Sequence, residues 1–173
     1  GVKSTQVGYA NGNIANPTYQ QVCTGKTNFA ETVKVEYNPQ EVPLKLLIDL
    51  FFKTIDPTSL NRQGNDKGSQ YRTGIYYQNE QDKAVIEAAL KTLQSKYQEP
   101  IQIEVEPLKN YVEAEEYHQD YLKKNPKAVR IRDAYSQLLF QAKNFAALDS
   151  LEKEYRNDDR YLIALAISYV QIS

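Results

Sequence analysis

The sequence predicts an α+β domain, in which a mixed sheet is layered with flanking helices, followed by an all-α C-terminal extension. Three observations predict it. Stretches with period-two alternation read as strands, amphipathic stripes between them read as helices, and strand patterning stops after Pro126. The expected organisation is a domain over residues 1–126 and a helical extension over residues 127–173.

Each element has its own warrant. In "ETVKVEY", Val33, Val35 and Tyr37 alternate with Thr32, Lys34 and Glu36, as in a half-buried strand. In "NPQEVPLKLLIDLFFKTIDP", Pro43 stands near a helix start and Leu44, Leu47, Ile48, Phe51, Phe52 and Ile55 form a helical stripe that Pro57 ends. "TGIYY" predicts a strand. The next segment opens on Asn79 as N-cap and aligns Ile86, Ala89, Leu90, Leu93 and Tyr97 on one helical face. "PIQIEVEPL" alternates again, and "YVEAEEYHQDYLKKNP" predicts a helix closing at Pro126, with Glu115 and Glu116 on its solvated face. Beyond it, Tyr135 and Tyr169 lie 34 positions apart, as do Ile131 and Leu165, the spacing of a tetratricopeptide-like helical repeat.

Composition excludes several classes of function. With 21 basic and 22 acidic residues the net charge is −1, which gives no electrostatic footprint for nucleic acid. No apolar run reaches membrane-spanning length. A single cysteine excludes an internal disulfide framework and fits a reducing, cytoplasmic compartment; any targeting signal is expected upstream of Gly1. No set of Cys, His or acidic residues has metal-ligand spacing, and the lone His118, on a helix face with Ala114, Tyr121 and Leu122, reads as a structural residue or as one that supports a site from behind, not as a metal ligand.

The stretch Leu60–Arg72, "LNRQGNDKGSQYR", places amides, charges, glycines and a tyrosine where almost nothing can fill a core. It stands among "VGYANG", "NPTYQQVCTG", "FAETVKVEYNP", "DPTSLNRQGNDKGSQYRTGIYY" and "EEYHQDYLKKNP", in that order. Together these motifs resemble the A-type peptide methionine sulfoxide reductases, and the resemblance runs from Gly1 to Pro126.

The resemblance implies reduction of methionine-S-sulfoxide by attack of a cysteine thiolate on the sulfoxide sulfur. No prosthetic group is involved, and thiols, usually thioredoxin, recycle the sulfenic acid. Carried across motif by motif, Glu31 resembles the acid that protonates the sulfoxide oxygen. Tyr19 and Tyr71 resemble the phenols that hydrogen-bond that oxygen, and Asp66 the aspartate that organises the pocket. The sequence also departs from the family. The glycine-cysteine-phenylalanine-tryptophan motif that carries the nucleophile is not among these residues, and the first strand and helix of the fold are expected to be missing with it. The glycine-tyrosine-cysteine turn after "KNP" is replaced by "KNPKAVRIR". Cys23, between Val22 and a glycine turn, reads as a small buried apolar residue and not as the nucleophile. The chain itself is therefore expected to be inactive. The competing expectation is a degenerate, reductase-like binding module whose helical tail recruits a protein partner.

Overall fold

A computed structural model describes residues 1–124. Strand β1 (Val2–Ala10) leads through a loop to a short helix α1 (Tyr19–Cys23), then to strand β2 (Ala30–Tyr37) and helix α2 (Leu44–Phe51). The polar stretch becomes a two-residue hairpin, β3 (Arg62–Gln63) and β4 (Asp66–Lys67), followed by a 3-10 turn (Ser69–Tyr71). Strand β5 (Gly74–Tyr77), helix α3 (Glu80–Gln94), strand β6 (Glu104–Pro107), strand β7 (Tyr111–Glu113) and helix α4 (Tyr121–Lys124) complete the order.

The mixed sheet is present in two pieces. β2, β1 and β7 form an antiparallel sheet with β1 in the centre, whereas β5 and β6 form a parallel pair joined by the α3 crossover. Among the described residues β2 bonds only β1, and β5 bonds only β6. Both strands line one groove enclosing about 580 Å³, whose apolar walls include Leu44, Ile48, Phe51 and Ile86.

Two small cores result. Ile48, Tyr77, Ile86 and Ala89 pack α2 and α3 against β5, and Tyr9, Val22, Phe29 and Ala114 pack α1 and the β2 entry against the antiparallel sheet. The first follows from helical stripes. Its helix α3 starts where expected, with the Asn79 side chain accepting from the Gln81 amide, and buries Ile86, Ala89 and Leu93.

The second core is less regular. Gly8 sits mid-strand because the Tyr111 ring lies over it, where a Cβ would clash; the Tyr111 hydroxyl donates to the Gln6 carbonyl at 2.8 Å. Gly12 is likewise covered by the Phe29 ring.

Several expectations need correction. The helix predicted over "YVEAEEYHQDYLKKNP" is instead a strand over Tyr111–Glu113, turns, and one helical turn over Tyr121–Lys124. Pairing with the central strand outweighs helix propensity there, since Tyr9 and Ala10 oppose Val112 and Tyr111. Helix α2 ends at Phe51, before Ile55, as shorter-range bonds such as Thr54 N–H to Phe51 O tighten the chain. Thr32, expected on a polar face, is buried and donates its hydroxyl to the Ala30 carbonyl. The expected extension over residues 127–173, with its 34-residue spacing, lies outside the described residues.

Candidate functional site

Three of the four expected site residues converge where α1, β2 and the 3-10 turn meet. Tyr19 is the first residue of α1, Glu31 the second of β2, and Tyr71 the last of the 3-10 turn. Side-chain bonds stitch the turn down. The Ser69 hydroxyl donates to the Gly25 carbonyl at 3.2 Å, and the Gln70 amide to the Cys23 carbonyl at 3.3 Å. The Arg72 guanidinium reaches the Asn28 and Ser69 carbonyls and both oxygens of Glu104, which also accepts from the Tyr76 hydroxyl at 2.8 Å. Backbone that precedes Glu31 is thereby tied to backbone that carries Tyr71.

Electrostatics register the convergence. Tyr19 holds its proton far above the ordinary tyrosine range, chiefly through its hydrogen bond with Cys23, then through burial and the charges of Cys23 and Glu31. Burial and then the Glu31 charge push Tyr71 up in the same way. Glu31 is half-buried, with one carboxyl oxygen withdrawn from solvent. Both phenols thus stay protonated donors at neutral pH beside one carboxyl group. Asp66 is the most exposed of the four. It is exposed on the β3–β4 hairpin, and its charge is the last of five influences on Tyr71.

The family model for peptide methionine sulfoxide reductase matches residues 1–148. The chain belongs to the peptide methionine sulfoxide reductase family. It is 57% identical to the peptide methionine sulfoxide reductase MsrA of Mycoplasma pneumoniae over 126 residues, which is 73% of this chain and 80% of that one. It is 54% identical to the same-named protein of Clostridium acetobutylicum over 126 residues, 78% of that chain. The crystal structure of reduced Mxr1 from Saccharomyces cerevisiae is similar at a TM-score of 0.70 with 41% identity, covering 73% of this chain and 74% of that one. Methionine sulfoxide reductase A of Corynebacterium diphtheriae is similar at 0.65 with 38% identity, over 73% of this chain and 65% of that one.

For a sulfoxide reductase the surroundings of this cluster matter as much as its members. Cys23, expected to be buried, is half-exposed one helical turn beyond Tyr19, on the same face of α1. Glu115, expected on a solvated helix face, is half-buried: one oxygen accepts from the Tyr9 hydroxyl at 2.7 Å and the other from the Tyr19 amide at 2.8 Å. Burial alone would raise its pKa, but these bonds outweigh it and hold the carboxyl below the usual range. His118 stacks on Tyr19 with ring centroids 4.6 Å apart and on Tyr117 at 4.2 Å. Its burial favours the neutral imidazole.

Tyr9, Glu115 and the Arg72–Glu104 pair were not foreseen from sequence. Glu115 and His118 lie within the quoted "EEYHQDYL" motif, but a helix reading turns Glu115 to solvent. Among the described residues no group of three His, Cys, Asp or Glu side chains is placed to hold a metal ion, and no helix is long and apolar enough to cross a membrane.

Proposed function

We propose that the cluster is the sulfoxide pocket of a thiol-dependent peptide-methionine (S)-S-oxide reductase, acting on free or peptidyl methionine-S-sulfoxide. The observation that carries this reading is that the turn carrying Tyr71 is bonded to the end of α1, which presents Tyr19, and to the backbone leading into Glu31. A sulfoxide oxygen seated among them receives two hydrogen bonds while it gains charge, and Glu31 supplies the proton that leaves it as hydroxyl. In that step the attacking thiolate becomes a sulfenic acid and the substrate leaves as methionine. One thiol then converts the sulfenic acid to a mixed disulfide with loss of water, and a second releases the enzyme thiol. Asp66 acts from the pocket rim, on Tyr71. Thioredoxin is the proposed reductant.

The single thiol of these 173 residues is Cys23, and we read it as a neighbour of the pocket and not as the nucleophile. With a peptide methionine-S-sulfoxide and dithiothreitol this chain is then expected to bind without turnover. A version carrying the glycine-cysteine-phenylalanine-tryptophan motif upstream is expected to turn over, and there Glu31→Gln costs about 100-fold or more in kcat. Turnover by the 173-residue chain that disappears in Cys23→Ser would reassign the nucleophile to Cys23. A binding module without catalysis is less well supported, because 57% identity to a reductase extends over 126 residues. Residues 127–173 are proposed as a helical, tetratricopeptide-like extension with a protein partner; circular dichroism of the chain with and without them tests its helicity.

A further inference from the structure

The phenol of Tyr19 is presented by an unusually small element. Helix α1 has five residues and no acidic residue in its first turn, too short a helix to hold its own N-terminus. Its capping is supplied in parts. The Thr18 hydroxyl accepts from the Gln21 amide, and the Gln21 side chain accepts from the Thr18 amide at 2.9 Å. The Tyr19 amide is satisfied from far along the chain, by Glu115. The second oxygen of the same carboxylate accepts from the Tyr9 hydroxyl, and Tyr9 is the register partner of Glu31 across the β1–β2 ladder.

We infer that Glu115 is a positioning residue for the reaction: its carboxylate fixes the Tyr19 phenol relative to Glu31 by joining the N-terminus of α1 to the strand that pairs with the acid. The turn that carries Glu115 also holds the phenol from its other side. The His118 amide donates to the Glu115 carbonyl at 2.8 Å, and the His118 ring lies 4.6 Å from the Tyr19 ring. Tyr19 is thus held at its amide and along its ring. The amide contact fixes where the helix starts. The phenol's position follows from it, and Cys23, four residues on along the same face of α1, is the readout.

The inference rests on the reading of Tyr19 as a pocket phenol, and its test separates the two. Cys23 is the single thiol of the chain, so its rate of modification by a maleimide reports one site against which Tyr19 packs. Glu115→Ala is expected to raise that rate about tenfold, whereas Glu115→Gln, which keeps an acceptor for the Tyr19 amide, stays within about threefold of wild type. In a Tyr19→Phe background the Glu115→Ala effect shrinks to less than about twofold, the signature of two residues acting as one unit. Should Glu115→Ala unfold the chain, Tyr9→Phe removes only the hydroxyl donated to Glu115 and moves the rate in the same direction by less. An unchanged rate in Glu115→Ala, or an equal rise in both backgrounds, overturns the inference, since general loosening does not depend on Tyr19. Titration of the same proteins with N-acetyl-methionine-S-sulfoxide amide gives the second arm. Glu115→Ala and Tyr19→Phe are expected to weaken binding by similar factors, and the double variant by no more than either. If the wild type fails to bind this probe while the thiol cycle holds, the pocket reading falls, and with it the role of Glu115 in the reaction, leaving Glu115 only as the anchor of Tyr19.

Discussion

The half of the protein built from α2, α3, β5 and β6 and the half built from β1, β2, β7 and α1 are organised by different forces. In the first, buried Ile48, Ile86, Ala89 and Tyr77 interlock two amphipathic helices with a parallel strand pair. In the second, amides replace regular structure wherever the sheet stops. The Gln119 side chain accepts from the Val7 amide and donates to the Val7 carbonyl, continuing the ladder past the end of β7. Asn110 does the same for both backbone groups of Gly12. Apolar packing tolerates small shifts, whereas a hydrogen bond to a charged group is directional and short-ranged. The half that carries Glu31 and Tyr19 is the half held by polar stitching.

Truncation of each core tests that division most severely. Phe29→Ala and Ile86→Ala each remove a side chain left about 1% exposed, and each is expected to cost about 3 kcal/mol or more, read by urea denaturation. Only Phe29→Ala, whose ring covers Gly12 and packs with Tyr9, is expected also to abolish sulfoxide binding under conditions where the variant is still folded. Equal loss of binding in both would mean that the halves do not act separately.

Arg72→Ala probes the stitching itself. It leaves Glu104 with the Tyr76 hydroxyl but no guanidinium and removes the donor to the Asn28 carbonyl, at a cost of about 2 kcal/mol, and it frees the turn that carries Tyr71. Thermal denaturation measures the first effect and sulfoxide affinity the second. The N-cap variant Asn79→Ala is the matching change in the helical half, where about 1 kcal/mol should be lost with affinity unchanged.

Acidification gives the mildest contrast. His118 and Glu115 both bind protons less readily in the fold than in the open chain, so stability they contribute is present at high pH and declines as pH falls. The His118 share is lost below its ordinary value of 6.5 and the Glu115 share below 4.5. Cys23 modification should therefore accelerate on acidification, after correction for thiolate fraction, while α3 keeps its circular dichroism.

The helical half was readable because its determinants are local. The Asn79 cap and the Ile86, Ala89, Leu93 stripe needed only a period of 3.6, although Tyr97 falls beyond the end of α3 and is exposed. The site half was readable only through its ordered motifs. Nothing local distinguishes Glu31 or Tyr71 from a strand-end acid and a turn residue, and the strand Val2–Ala10 shows no clear alternation because successive residues Gly8, Tyr9 and Ala10 are buried, so both of its faces are covered there. Glu115 was misassigned for a related reason: its partners, Tyr9 and Tyr19, lie 106 and 96 positions away, and no periodicity encodes that.

The divided sheet has a consequence for handling as well as for shape. Among the described residues, β2 and β5 each have one edge that no strand pairs, both border one apolar trough, and the charges of Lys34 and Glu36 stand along β2. Such rims are templates for any extended segment that drifts by, another molecule's included. Shelf life in concentrated solution will depend on how well those two charges keep neighbours out.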